Sequence, residues 1–395
     1  MKYSGVNMIG KAFLLALILA NASASQTSTG DVMAAYAEYN EALARGDREG
    51  ALTASKKAYE LAETAWGDSR KETALLATNY GDRLFIDKEF ENAEPLYRRC
   101  IEILDKLAVD SSLAQLGYCQ ARLAQTYVAT SDNRAEAAYR GAIRAFENAA
   151  EKGAAPDKAM LGEAYLMVAQ YSMPKRKVIS TGQMQLERAY REAGVLAAKA
   201  IPLLAESYGE KSELVARAYL YQGYAQEAAE DWSAAAESYE KAYDIFDELR
   251  GAKDQVTARA FGRFRFAVNF AKSKERQKQE KTSRDGRLPS SPECFFHGQG
   301  NEDIELCPVK RNPPTYPSTS YDVEHGGFSL MLYDIAENGR TENIRVLESW
   351  PDREFERSSA SAVKRWIYSP PKRADGSVVR AVDVQTMITY ELSRR

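Results

Sequence analysis

One spacing, used three times, constrains this chain more than any other feature. The stretches 92–101 (NAEPLYRRCI), 134–143 (RAEAAYRGAI) and 234–243 (AAAESYEKAY) align residue for residue. Each sets a small residue, an aromatic four positions on, and a second small residue three positions after that. The triplets are Ala93, Tyr97 and Cys100; Ala135, Tyr139 and Ala142; and Ala235, Tyr239 and Ala242. Small residues let two helices approach closely, and the aromatic fills the groove between one helix pair and the next. From Asp31 to about Lys274 apolar residues recur at spacings of three and four, and only four prolines interrupt. Amphipathic helices follow from that periodicity. A unit of this kind cannot bury its apolar face alone, so its copies must stack.

The pattern resembles the tetratricopeptide repeat in its longer form of roughly 42 residues, as in kinesin-light-chain-like proteins. Gly81 and Gly223 match the small position of a first helix, and Trp232 matches the aromatic before a second. Trp66-Gly67-Asp68 and Tyr208-Gly209-Glu210 match the breaks that end long second helices. Leading motif positions at Tyr39, Gly81, about Ala124 and Gly223, with a degenerate pair before the last, predict five helix pairs. Met173 to Gln185 reads as a polar insertion within the fourth pair, and Gln255 to Lys274 as a capping helix. What the resemblance implies is a curved scaffold over 31–275 whose groove holds a protein ligand, which the sequence does not identify. Most of the 23 tyrosines fall at packing positions and are expected in the core.

The first 24 residues have the three parts of a secretory signal peptide. Lys2 and Lys11 supply positive charge, Ala12 to Ala20 is an unbroken apolar run, and Ala22-Ser23-Ala24 offers small residues for cleavage. Spanning a bilayer takes about 20 apolar residues, more than this run provides. A periplasmic location is therefore expected, with an inner-membrane anchor as the alternative if the segment is retained. With 53 basic against 56 acidic residues, the net charge of −3 argues against a nucleic-acid partner, which calls for a basic surface.

Composition shifts sharply near residue 285, since nine of the thirteen prolines follow Arg287. Arg263 to Arg287 carries nine Lys/Arg against three Asp/Glu and reads as a solvated helix end running into a linker, 276–307. Cys294 and Cys307 flank twelve residues there, and in an oxidising compartment they are candidates for a disulfide. Cys294, His297 and Cys307 lack a fourth ligand, so no metal is expected. Cys100 and Cys119 fall on neighbouring helices of successive repeats, where a disulfide and a pair of buried thiols are equal alternatives.

Residues 308–395 read as a small α+β unit. Phe328 to Ile335 is an apolar strand, Glu337-Asn338-Gly339-Arg340 a turn, and Asn343 to Ser349 a return strand. Asp352 is an N-cap candidate for a helix on which Phe355, Ser359, Ala362, Val363 and Trp366 form one stripe. Val382 to Leu392 is a long last strand, left at the sheet edge with unpaired main-chain groups. These residues resemble the C-terminal domain of the TonB family. The likeness runs from Tyr316-Pro317 through Gly327, Tyr333, Asn338-Gly339, Phe355, Ala362 and Trp366-Ile-Tyr368-Ser-Pro370 to the final strand. It implies a domain that accepts an extended segment, the TonB box of an outer-membrane receptor, along its sheet edge by β-augmentation. Mapped here, that edge carries Val382, Val384, Thr386, Ile388 and Tyr390, with Tyr316 and Pro317 as candidate receptor contacts. Phe355, Trp366 and Tyr368 are expected in the core.

The expected fold is mainly α: a tetratricopeptide-like α-solenoid, then a small TonB-like domain (308–395) with a three-stranded antiparallel sheet and one packed helix. The expected role is a periplasmic adaptor, repeats docking one protein and the sheet binding a TonB-box-like strand of another. The alternative is a membrane-anchored TonB-type energy transducer, although no Pro-rich rod is present. No Gly-x-Ser-x-Gly, His-Glu-x-x-His or phosphate-binding glycine loop occurs, so neither catalytic residues nor a cofactor are expected.

Overall fold

A computed structural model describes residues 26–173, 183–252, 254–280, 295–296, 304–316, 327–350 and 353–390. The apolar N-terminal run, Asp352, Leu392 and most of the insertion between 173 and 185 lie outside the described residues. The chain divides into two units, 1–132 and 133–395.

In the first unit, five helices follow one another: α1 (Gln26–Ala44), α2 (Arg48–Ala65), α3 (Lys71–Ile86), α4 (Phe90–Leu107) and α5 (Leu113–Ala129). Asp47 caps α2 by accepting the Gly50 N–H at 2.8 Å. The break after Trp66 is made by Gly67 at φ +49°, a left-handed value that glycine adopts at little cost. The small–aromatic–small triplet of α4 is fully buried, and the Tyr97 ring lies where a Cβ on Gly81 would come within 3.1 Å. That contact is why the first helix needs its small residue. The alternative left open for Cys100 and Cys119 is resolved as a disulfide between α4 and α5, with Cα atoms 6.3 Å apart and both residues buried.

The second unit continues with α6 (Ala135–Glu151), α7 (Lys158–Ser172), α8 (Gln183–Tyr208), α9 (Glu213–Ala228), α10 (Trp232–Arg250) and α11 (Gln255–Glu280). The repeat chemistry recurs: Gly223 leaves room for the Tyr239 ring, and Trp232 and Tyr239 are buried. The short strands β1 (Phe295–Phe296), β2 (Ile304–Leu306) and β3 (Pro308–Lys310) come next. They are followed by β4 (Gly327–Ile335), β5 (Thr341–Trp350), α12 (Arg353–Val363), β6 (Ile367–Tyr368), β7 (Lys372–Arg373) and β8 (Ala381–Tyr390). The main sheet is antiparallel in the order β5-β4-β8, while short strands form a second three-stranded sheet, β1-β2-β7, and a two-stranded one, β3-β6. Gly339, at φ +78°, turns β4 into β5, and any side chain there would strike the Tyr368 carbonyl.

All nine residues of β4 are buried, because each face of the central strand is covered. On one face α12 lays down its stripe, Phe355, Ser359, Ala362 and Val363, with Trp366 just past its end. Their cluster takes in Met331, Tyr333, Ile335, Val384, Ile388 and Tyr390, and also Ile304 and Leu306 of β2. The sheet core thus draws on residues upstream of Pro308. On the other face Phe328 packs against α11, where Gly262 leaves space for its ring. Phe266 sits with ring centroids 5.8 Å from Phe328 and 5.7 Å from Trp350.

Candidate peptide-docking edge

The register of β8 decides what its outer side can offer. From Tyr390 to Val384 it pairs without interruption against Gly327 to Tyr333, and then the register slips before Ala381 meets Ile335. Cross-strand partners share a face, so Val384, Thr386, Ile388 and Tyr390 turn towards α12. Three of them, Val384, Ile388 and Tyr390, are buried in the cluster beneath it; Thr386 is half-buried and Val382 is exposed. Their side chains anchor the strand, and what they present outward is main chain. Among the described residues, no strand pairs with the outer side of β8.

The opposite outer strand, β5, is less regular. Its pairing with β4 slips twice, once at Leu347 and once at Asn343–Ile344. Bulges twist and break an edge, and natural sheets use them to discourage strand addition. The Trp350 end of β5 is also occupied. The Arg263 guanidinium of α11 stacks 4.2 Å from the Trp350 ring, and Arg259 pairs with Glu348 at 3.3 Å. Arg263, the first residue of the basic run Arg263–Arg287, is not part of a solvated helix end: it is 8% exposed. It pairs with Glu227 at 2.6 Å, which also accepts the Tyr239 hydroxyl at 2.6 Å. A buried charge needs such a partner.

Sequence reasoning missed the residue that joins the slip of β8 to the slip of β5 at Asn343–Ile344. Asp334 is nearly buried at the level where Asn343 of β5 (φ +49°) and Asp383 of β8 (φ +55°) take left-handed backbone. Its carboxylate accepts the Asp383 N–H at 3.0 Å, the Asn343 amide at 2.7 Å and the Arg380 guanidinium at 2.9 Å. Burial alone would raise its pKa. The three donors outweigh that and hold the carboxyl below its ordinary value. The available signal was a lone acid at the penultimate position of a largely apolar strand, GFSLMLYDI.

Tyr316 lies beside the far end of β8, edge-on to Phe355 (5.4 Å) and Tyr390 (5.8 Å). The segment leading to it is stitched down: Arg311 donates to the Tyr368 hydroxyl at 2.6 Å and covers the Trp366 ring, whose Nε1 donates to the Asn312 carbonyl at 2.9 Å. Pro317 lies outside the described residues. Cys307 is disulfide-bonded, and Cys294, expected opposite it, also lies outside them. No helix among the described residues is long and apolar enough to cross a membrane.

The family described as Gram-negative bacterial TonB protein C-terminal matches residues 312–392. Protein TonB of Pseudomonas aeruginosa is 30% identical over 93 residues, 24% of this chain and 27% of the relative. Protein TonB of Escherichia coli strain K12 is 34% identical over 71 residues, 18% of this chain and 30% of the relative. The chain thus spans less than a third of either relative's length. The solution NMR structure of the Pseudomonas aeruginosa TonB CTD is 29% identical and covers 26% of this chain and 99% of its own, at a TM-score of 0.21.

Proposed function

We propose that this chain, with a TonB C-terminal domain over residues 312–392, takes an extended segment of an outer-membrane receptor along β8. The uninterrupted ladder from Val384 to Tyr390 carries the reading. A regular outer strand provides evenly spaced N–H and C=O groups for main-chain pairing, and its neighbours tune selectivity. The doubly bulged β5 offers no comparable run. Tyr316 belongs to the proposal as a flank of the docked segment. The repeats are proposed to dock a second protein, making the molecule a periplasmic adaptor. Its disulfide between Cys100 and Cys119 supports an oxidising compartment. Sequencing the N-terminus of the mature protein separates this adaptor from a membrane-anchored transducer.

Adjacent residues of a strand send their N–H groups to opposite sides, so proline at consecutive positions tests the edge directly. Of Thr386→Pro and Met387→Pro, one removes an N–H donated to β4 and unfolds the sheet. The other removes an outward N–H, which an edge strand tolerates. The tolerated variant is expected to keep its circular dichroism and lose binding to synthetic peptides from receptor N-terminal segments, read by fluorescence anisotropy. Undiminished binding in that folded variant would sink the edge-pairing reading.

A further inference from the structure

We propose that Asp334 is the positioning residue that fixes where the docking edge ends, limiting the added strand to the seven residues opposite Val384–Tyr390. The inference deepens the edge-docking reading and rests on it.

The argument starts from what strand addition requires. An incoming segment pairs only where successive N–H and C=O groups of the host alternate evenly. β8 meets that condition over seven consecutive pairs with β4 and then fails, because Val382 and Asp383 together face the single residue Asp334. At Asp383 the backbone turns left-handed, a conformation that a non-glycine residue holds only when its surroundings impose it. The imposing group is the Asp334 carboxylate, which accepts the Asp383 N–H and, through Arg380, ties down the chain entering β8. Arg345 closes the same corner by pairing with the Asp383 carboxylate, and Arg380 reaches Glu342 at 3.1 Å. Asp334 need touch no ligand to act. It decides how much of the edge stays straight.

The test uses the full chain and one receptor N-terminal segment that binds it, synthesised at lengths from five to eleven residues. Wild-type affinity is expected to climb up to seven residues and then level off. In Asp334→Ala the bulge relaxes, and the nine-residue peptide should bind about five-fold tighter than the seven-residue one, the yield of one further net backbone hydrogen bond. Adding Asp383→Gly to Asp334→Ala removes the cost of positive φ at that position, and should return the limit towards seven residues. General destabilisation would weaken all lengths alike and would not move the limit. Amide exchange gives a readout without peptide: the Asp383 N–H should be protected in wild type and exposed in Asp334→Ala. If the alanine variant does not fold, Asp334→Asn serves, since its single acceptor oxygen cannot satisfy all three donors. A limit that stays at seven while the Asp383 amide becomes exposed overturns the inference alone. Failure of every length to bind wild type overturns the edge reading, and this inference with it.

Discussion

Asp334 shows how one side chain can be costly to bury and still be required. Its ionised form is preferred because the Asp383 N–H, the Asn343 amide and Arg380 together outweigh desolvation. The sign of the pH dependence follows. A carboxyl whose folded pKa is depressed adds stability above its unfolded value, near 3.9, and loses it as pH falls through the lower folded value. Urea midpoints measured from pH 7 to pH 3 should therefore fall more steeply for wild type than for Asp334→Asn, with the gap narrowing only below about pH 4. Equal slopes would mean the carboxylate is not held by its three donors. Arg263 teaches the converse lesson. By composition it belonged to a basic run, yet Glu227, Tyr239 and Trp350 surround it. Charge counts along a sequence do not reveal whether a partner waits on another element.

At the scale of elements, what the sequence made legible was whatever depended on local spacing. The triplets Ala93–Tyr97–Cys100 and Ala235–Tyr239–Ala242 announce helix faces, and both are buried as their period requires. The stripe from Phe355 to Trp366 behaves likewise. Partner choice across elements was not legible, since it depends on distances that spacing does not encode. Whether Cys100 and Cys119 bond was open for that reason; their Cα separation of 6.3 Å settles it, within the range a disulfide spans. The bulges at Asn343 and Asp383 escaped because a left-handed residue other than glycine leaves no mark in composition. The disulfide closes 19 residues, and a loop of that size stabilises by roughly 3 kcal/mol in the chain-entropy treatment. Cys100→Ala with Cys119→Ala should lower the urea-derived stability by about that amount. A change under about 0.5 kcal/mol, the usual span of surface substitutions, would show that the bond does not constrain the unfolded chain.

At the scale of the whole molecule, the expected boundary separated repeats from sheet at a linker. In the second unit that boundary is bridged by packing. Helix α11 buries one side against α10 and the other against β4 and β5, with Phe266 contacting Trp232 on one hand and Phe328 and Trp350 on the other. The repeat logic extends into this contact. In earlier pairs the small residues Gly81 and Gly223 receive a tyrosine from the following helix, and on α11 Gly262 receives Phe328 from a strand. The buried ion pairs also correspond: Arg122 meets Asp82 across the step from α3 to α5, and Arg263 meets Glu227 across the step from α9 to α11. The sheet thus packs on α11 much as a second helix would. Covalent continuity through 281–294 should then be dispensable for holding the sheet to the last repeats. A protease site introduced between Arg284 and Arg287 and cleaved in the folded protein should leave both fragments co-eluting in gel filtration. Trp350→Ala removes the ring that Arg263 and Phe266 share, at a cost of about 3–5 kcal/mol for a buried aromatic, less here because the ring is half-buried. With Arg263→Ala it also strands the Glu227 charge. The cleaved double variant should separate. Separation of the cleaved wild type would mean that the linker, not the packing of α11, joins the sheet to the repeats.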